Sequence, residues 1–586
     1  MNLDRAAYTR LRRGRVTLSV VVLVLGVAVT GAALLVLFRR VAPSPALPPP
    51  PRFGQGIAPD ASGRKPNDAT VTRSQVAGAE ERPKPLGADW LEPDETPIVD
   101  RSRIEGGLNR PPRPRQDTDE QAAKAVRARD ARQQLDRSAE ARRRRVRRFG
   151  GNARTESAVE AGLAWLAVHQ SADGSWDRID FVRLCPQRDR CRGPAITRTE
   201  HSLQAGITGL ATLAFLGAGY TPSSGPYQRT VEDGVRALVH MQQPHGGFSQ
   251  AESMAGYNDS LATLALAECY AMTGDKRLVQ PLRLAVLRLT NSQQKLGGWD
   301  YLPTPNSARN DTSITAWVVQ ALQACSAAGI TVPPKALIGA ALHFASASQS
   351  DGRVWYSDSG RGFELDQKTM RPAFRYGPAM SACGMMAESI LGWRLDTPLL
   401  RTQRALIFEQ LPSQALAMGQ DRTHLHSQYY WYYGTVAAFQ LGGNYWDRWN
   451  AHLRDAILPL QNRKKTAKGQ KRHEYGSWPP YGLERGQKWG KWGRMGGRVY
   501  STAISTLTLE IYYRHTPAYL DDHFVLSADD WRGYLRGADP LRRKSAVGVL
   551  ADLRYEVGEP VLIDLLDDAE QGVALAAAAA LATIDS

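Results

Sequence analysis

The chain has 586 residues, 42% hydrophobic and 23% charged, and a formal net charge of +16. That apolar content can build a core and excludes a wholly disordered protein, while five cysteines exclude a disulfide-framework fold. Residues 1–150 alone carry +12 of the charge, so the basicity belongs to an N-terminal arm and argues against a nucleic-acid-binding globular domain.

Residues 1–15 form a basic N-terminus with Arg5, Arg10, Arg12, Arg13 and Arg15. Residues 16–38 follow without a charge, apolar or small throughout, and long enough to cross the roughly 30 Å hydrocarbon core of a bilayer as one helix. The arginine excess ahead of this run predicts a single-pass anchor with a cytoplasmic N-terminus and an extracytoplasmic main domain. The run is longer than a signal-peptide core and is followed by Arg39 and Arg40 rather than a small-x-small site, which favours an uncleaved anchor. Residues 39–118, dense in proline, glycine and charge, read as a disordered tether. Residues 119–150 predict an exposed basic helix ending in Arg142, Arg143, Arg144, Arg145, Arg147 and Arg148, with anionic lipid or a cell-wall polymer as its expected partner.

From 151 to 517 one phrase recurs: a helical run, Gln, then Gly after three residues, then an aromatic. It stands as Gln170, Gly174, Trp176, as Gln242, Gly246, Phe248 and as Gln293, Gly297, Trp299. Looser forms are Gln349, Gly352, Trp355 and the remnant Gly476, Trp478. Each phrase closes an amphipathic helix and precedes an almost wholly apolar one. Amphipathic helices belong outside and apolar ones inside, and a unit repeated every roughly 50 to 70 residues buries its face only against its neighbours. Six such pairs predict an all-α (α/α)6 toroid. Gly supplies the helix-ending backbone angle, Gln satisfies helix-end groups and the aromatic plugs the seam.

These Gln, Gly and Trp turns resemble those of the prenyltransferase and squalene-cyclase superfamily, and the likeness spans about three fifths of the chain. The resemblance implies the toroid and a central cavity. The chemistry of that superfamily does not carry over, because the signatures are missing. There is no Asp-x-Asp-Asp acid motif, Cys269, Cys325 and Cys383 lack the Asp two residues upstream of a prenyltransferase zinc site, and no Gly-Cys-Gly-Glu-Gln thioester is present.

What remains at the inner-helix starts is polar and aromatic. Asp259 and Asp311 are read first as helix caps, and as the acid/base pair if the protein is an enzyme. Tyr257, Arg309, Tyr376 and Tyr500 stand at the same level, where six helix N-termini converge and favour a polar or anionic ligand. One inner helix carries Tyr429, Tyr430, Trp431, Tyr432 and Tyr433 in a row; Tyr429, Trp431 and Tyr432 are its candidate stacking residues, against plain aromatic packing. His424 and His426 lack the spacing of a helical metal pair, so neither metal nor cofactor is expected. The loop 462–498 interleaves basic and aromatic residues and reads as a solvated cover or an anionic contact; Gly486, Gly490 and Lys491 do not complete a phosphate loop. Cys185 and Cys191 flank a short polar loop, where an oxidising compartment would permit a local disulfide.

Residues 518–586 read as HEAT-like helices, a stacking surface and a possible site for a protein partner. Two functions remain open: a membrane-anchored extracytoplasmic toroid that binds a lipid or isoprenoid, a glycan or a peptide without turnover, or a divergent enzyme of the toroid class, terpenoid cyclase-like or polysaccharide-acting.

Overall fold

The computed structural model describes residues 137–195, 203–249, 254–305, 309–357, 364–365, 372–373, 378–413, 428–480, 491–515 and 526–584. The run 16–38, the tether and most of the basic arm lie outside them. Among the described residues no helix is long and apolar enough to cross a membrane.

Helix α1 (Ala139–Arg148) leads into six pairs, each an outer helix followed by an inner one. The pairs are α2 (Ala153–Val168) with α3 (Gln204–Gly217), α4 (Gln228–Met241) with α5 (Ala255–Thr273), and α6 (Val279–Asn291) with α7 (Thr312–Ala327). They continue as α8 (Pro334–Ala347) with α9 (Pro378–Ile390), α10 (Pro398–Phe408) with α11 (Gln428–Leu441), and α12 (Gly443–Ile457) with α13 (Lys491–Leu509), which is extended by the single turn α14 (Ile511–Arg514). The inner helices pack in sequence, α3 on α5, α5 on α7, α7 on α9, α9 on α11 and α11 on α13, and α13 returns to α3. The ring therefore closes, as the repeats predict. The division of labour follows composition. In α3 every residue after Gln204 is buried, whereas α4 buries only Val231, Gly234, Val235, Ala237 and Leu238.

The turns explain the repeated phrase atom by atom. Gly174, Gly246, Gly297, Gly352 and Gly476 all have φ between +83° and +92°. At each, a Cβ would fall inside van der Waals contact with backbone of the next outer helix, for instance the Asp233 carbonyl for Gly174. Glycine is thus required twice over, by the angle and by the approach. Gln170 Nε2 donates to Gly174 O at 2.8 Å and to Thr230 O at 2.9 Å; Gln242, Gln293 and Gln461 repeat the pair of bonds in their own turns. The fourth turn corrects the register read from sequence: the positions equivalent to Gln and Trp are Ser348 and the buried Val354, one residue before Gln349 and Trp355. The last turn hides its Gln at 461: fourteen residues separate it from Gly476, where the other turns have three.

The basic arm is also corrected. Its end is not a free exposed helix: Arg142 is buried against Glu156 (2.8 Å) and Glu160 (3.0 Å), and Arg137 against Glu268 (2.7 Å). Arg143, Arg144, Arg147 and Arg148 remain exposed. Arg137 also donates to Leu216 O and Arg514 O, near the C-terminal ends of α3 and α14, so the chain enters at the ring face opposite the Gly-aromatic turns.

The central cavity implied by the resemblance is crossed by side chains at three levels. Tyr257 OH meets Ser313 Oγ at 2.8 Å, and Tyr429 OH donates to Ser313 O at 3.4 Å. Deeper, Trp317 stacks on Tyr432 with ring centroids 5.3 Å apart, and Tyr432 OH donates to Gln320 Oε1 at 3.2 Å. At the far end Arg514 bridges Tyr432 OH and Glu268.

Four further helices follow: α15 (Ala528–Arg536), α16 (Pro540–Asp552), α17 (Tyr555–Asp564) and α18 (Gln571–Ile584). They pack on one another, and α15 and α16 lie on outer helix α8. Arg394 fixes the tail by donating to Ala551 O and Leu553 O while lying 4.4 Å from the Tyr555 ring centroid.

Candidate functional site

The ring end that carries the turns brings together most of the candidate residues. Asp311 is the N-cap of α7: its Oδ1 accepts from the amides of Ser313 (3.0 Å) and Ile314 (3.1 Å) and from Ser313 Oγ, and its Oδ2 pairs with Arg309 at 2.6 Å. Burial pushes the Asp311 carboxyl up, and Arg309 with the cap donors pulls it back. Arg309 bridges Asp311 to Asp300 and lies over the Tyr301 ring at 5.0 Å and the Tyr356 ring at 5.5 Å. Tyr257, on the first turn of α5, packs its ring edge-on to Tyr301.

Asp259 has a different job. Its Oδ1 accepts the amide N–H of Phe248 at 2.7 Å. In three sister turns a threonine hydroxyl receives the same bond: Thr208 from Trp176, Thr315 from Trp299 and Thr502 from Trp478. Asp259 thus stands where the repeat elsewhere uses a threonine, with Arg288 at 3.3 Å balancing its charge; burial is the main force raising its carboxyl. The two aspartates are each held by protein donors that account for their positions.

Of the aromatic row, Tyr429, Trp431 and Tyr432 are all buried, as are Tyr430 and Tyr433. Tyr430 is a packing residue whose hydroxyl donates to Ile407 O and Gln410 O, towards the outer ring. Tyr500 is 9% exposed on the first turn of α13 beyond the break at Gly497 (φ +63°). Its hydroxyl has no hydrogen-bond partner among the described residues, and neither has Ser381 Oγ on the first turn of α9. Tyr376, His424 and His426 lie outside the described residues. In the basic loop Lys464, Lys465, Lys471 and Arg472 are exposed, while Trp478 is buried as a turn aromatic.

A second constellation is one that the sequence reading does not join. Cys185 and Cys191 are free thiols, which corrects the expected disulfide. His169 Nε2 lies 3.5 Å from Cys185 Sγ and 3.4 Å from Cys191 Sγ, and His473 Nδ1 lies 3.5 Å from Cys191 Sγ. The four donor atoms fall within 4.8 Å of one another. The expectation of no metal, drawn from the spacing of His424 and His426 and the lack of an HExxH or CxxC motif, leaves out this donor set, whose geometry could hold a metal ion. His169 caps the end of α2, and its Nδ1 faces the Trp165 carbonyl at 2.7 Å, which can only accept. The proton is thereby assigned to Nδ1 and the Nε2 lone pair to the sulfurs. Burial lowers the His169 imidazole to about 3 and pushes the Cys191 thiol up.

No family model and no curated protein matches the chain. Among solved structures it is similar to an inactive variant of an α-1,6-mannanase of Salegentibacter sp. in complex with α-1,6-mannotetrose, at 10% identity and a TM-score of 0.39 over 61% of this chain and 98% of that one. It is similar to the type II terpene cyclase MstE of Scytonema in complex with geranylgeranyl dihydroxybenzoate, at 13% identity and a TM-score of 0.39 over 62% and 96%. An unsaturated glucuronyl hydrolase specific for heparin gives 10% identity and a TM-score of 0.40 over 62% and 97%. The likeness is one of fold alone.

Proposed function

We propose that this protein is a membrane-tethered, extracytoplasmic toroid that binds a glycan at the turn-bearing mouth of its ring, without turning it over. The observation that carries the binding reading is the pair of buried hydroxyls, Tyr500 OH and Ser381 Oγ, on the first turns of two inner helices, that lack partners among the described residues. A buried hydroxyl left unpaired is costly, so a hydroxyl-bearing ligand offers these groups what the described residues do not. The aromatic rings of Tyr257 and Tyr429 at the same level suit the apolar face of a sugar ring. The fully engaged carboxylates of Asp259 and Asp311 favour binding over hydrolysis. Tethering is supported by the uncharged run 16–38 with its arginine-rich N-terminal flank.

Titration of the detergent-solubilised full chain with neutral and uronic-acid oligosaccharides, and separately with a prenyl alcohol, tests the reading. An oligosaccharide should bind, and Tyr500→Phe and Ser381→Ala should each weaken it by about 5- to 10-fold, the net worth of one hydrogen bond, at unchanged helicity. Binding of the prenyl alcohol alone would replace the glycan with an isoprenoid, and release of shortened sugars would replace the binding protein with an enzyme. In intact cells, added protease should reach the region beyond residue 150 and spare residues 1–15; protection of the ring would overturn the orientation.

A further inference from the structure

We infer that His169, Cys185, Cys191 and His473 form a structural zinc site that clasps the first repeat to the last. The donor set is right in kind, since two sulfurs and two imidazole nitrogens are ligands that zinc takes in closed, four-coordinate sites. It is right in size as well. Tetrahedral zinc with Zn–S about 2.3 Å and Zn–N about 2.0–2.1 Å sets sulfur and nitrogen about 3.6 Å apart, against 3.4 to 3.5 Å for the three sulfur–nitrogen pairs given above. The outer contacts are in place: the Trp165 carbonyl orients His169, and the Cys191 amide lies 3.5 Å from Cys185 Sγ. Two thiolates and two neutral imidazoles cancel the charge of Zn²⁺, which suits a site where His169, Cys185 and Cys191 are buried.

The clasp has a defined place. His169, Cys185 and Cys191 follow α2, the first outer helix, and His473 sits in the insertion of the last turn, 282 residues after Cys191. Both strands of this seam are also held by Glu474, which accepts from the Arg192 amide at 2.6 Å and pairs with Arg498 of α13 at 3.2 Å. A metal here closes a very long loop and can add its binding free energy to ring closure. All four ligand positions are filled by protein, which makes the site structural rather than catalytic.

The test is elemental analysis of the detergent-solubilised full chain purified without chelator, followed by thermal melting with and without zinc. One zinc per chain is expected, lost in Cys185→Ser and in Cys191→Ser, with His473→Ala weakening it by at least the 10- to 100-fold typical of outer-contact changes. Cobalt substitution should give thiolate-to-metal charge-transfer absorption, a signature that does not depend on any variant folding. Zinc removal should lower the melting temperature. A metal-free parent with a Cys185–Cys191 disulfide, or zinc retained unchanged in both serine variants, would overturn the site. An unchanged melting temperature after zinc removal would overturn the clasp.

Discussion

Trp299 donates its indole N–H to the Leu289 carbonyl at 2.7 Å, binding the turn back onto the helix that it ends. Trp176 does the same to Leu166 and Trp478 to Ile457, each acceptor lying four residues before the glutamine of its turn. One bond thus repeats around the ring.

Trp299→Ala should cost about 3–5 kcal/mol, the range for truncating a buried large aromatic. Chemical denaturation reads this directly, and an unchanged midpoint would show that the indole is not a seam plug.

Gly297 and Gly274 separate the two demands on glycine. Both have positive φ, +89° and +67°, but only Gly297 abuts a neighbouring carbonyl, that of Gly339. Gly274→Ala should cost about 1–2 kcal/mol for the left-handed backbone alone. Gly297→Ala should cost about 2–5 kcal/mol, because overpacking adds to that strain. Equal melting shifts for the two would refute the close-approach argument.

Two buried glutamates give opposite pH dependences. Burial alone would raise Glu268, but Arg514 and Arg137 hold it down to about 2. Its contribution is therefore present above the unfolded value near 4.5 and lost as pH falls towards 2. Glu388 is raised to about 7 by burial, with Ser348 Oγ donating to it at 2.7 Å. Its contribution is present below pH 4.5 and lost as pH rises through 7. Glu388→Gln should therefore stabilise the protein by about 3 kcal/mol at pH 8 relative to its effect at pH 4. Stability curves of parent and variant that run parallel between pH 4 and pH 8 would exclude this.

Asp311→Ala should cost about 1–2 kcal/mol as a lost N-cap, and Asp311→Asn much less, since Asn caps nearly as well. If Asp311 were a general acid or base, Asn would instead lower a rate by about 10²- to 10⁴-fold. Melting and turnover assays on the same two variants distinguish a cap from a catalyst.

The sequence was most readable where the determinants are local. Gln293, Gly297 and Trp299 sit within seven residues, and each must be its own type because the turn demands it. Reading failed where partners are distant or substituted. Val354 fills a place that an aromatic residue holds elsewhere, and Trp355 stands one position beyond it. Arg142 looked exposed because its acidic partners, Glu156 and Glu160, belong to the next helix. His473 lies 282 residues beyond Cys191, so no spacing motif joins them.

The seam also orders events during synthesis. Helix α2 packs against α13, and the Ala158 carbonyl receives its bond from Gln461, 303 residues later. At roughly 5–20 residues per second, its apolar face waits on the order of 15 to 60 s for a partner that does not yet exist. The nascent first repeat is thus an open end for as long as the last one is missing, and synthesis of the final repeat is the step that closes it.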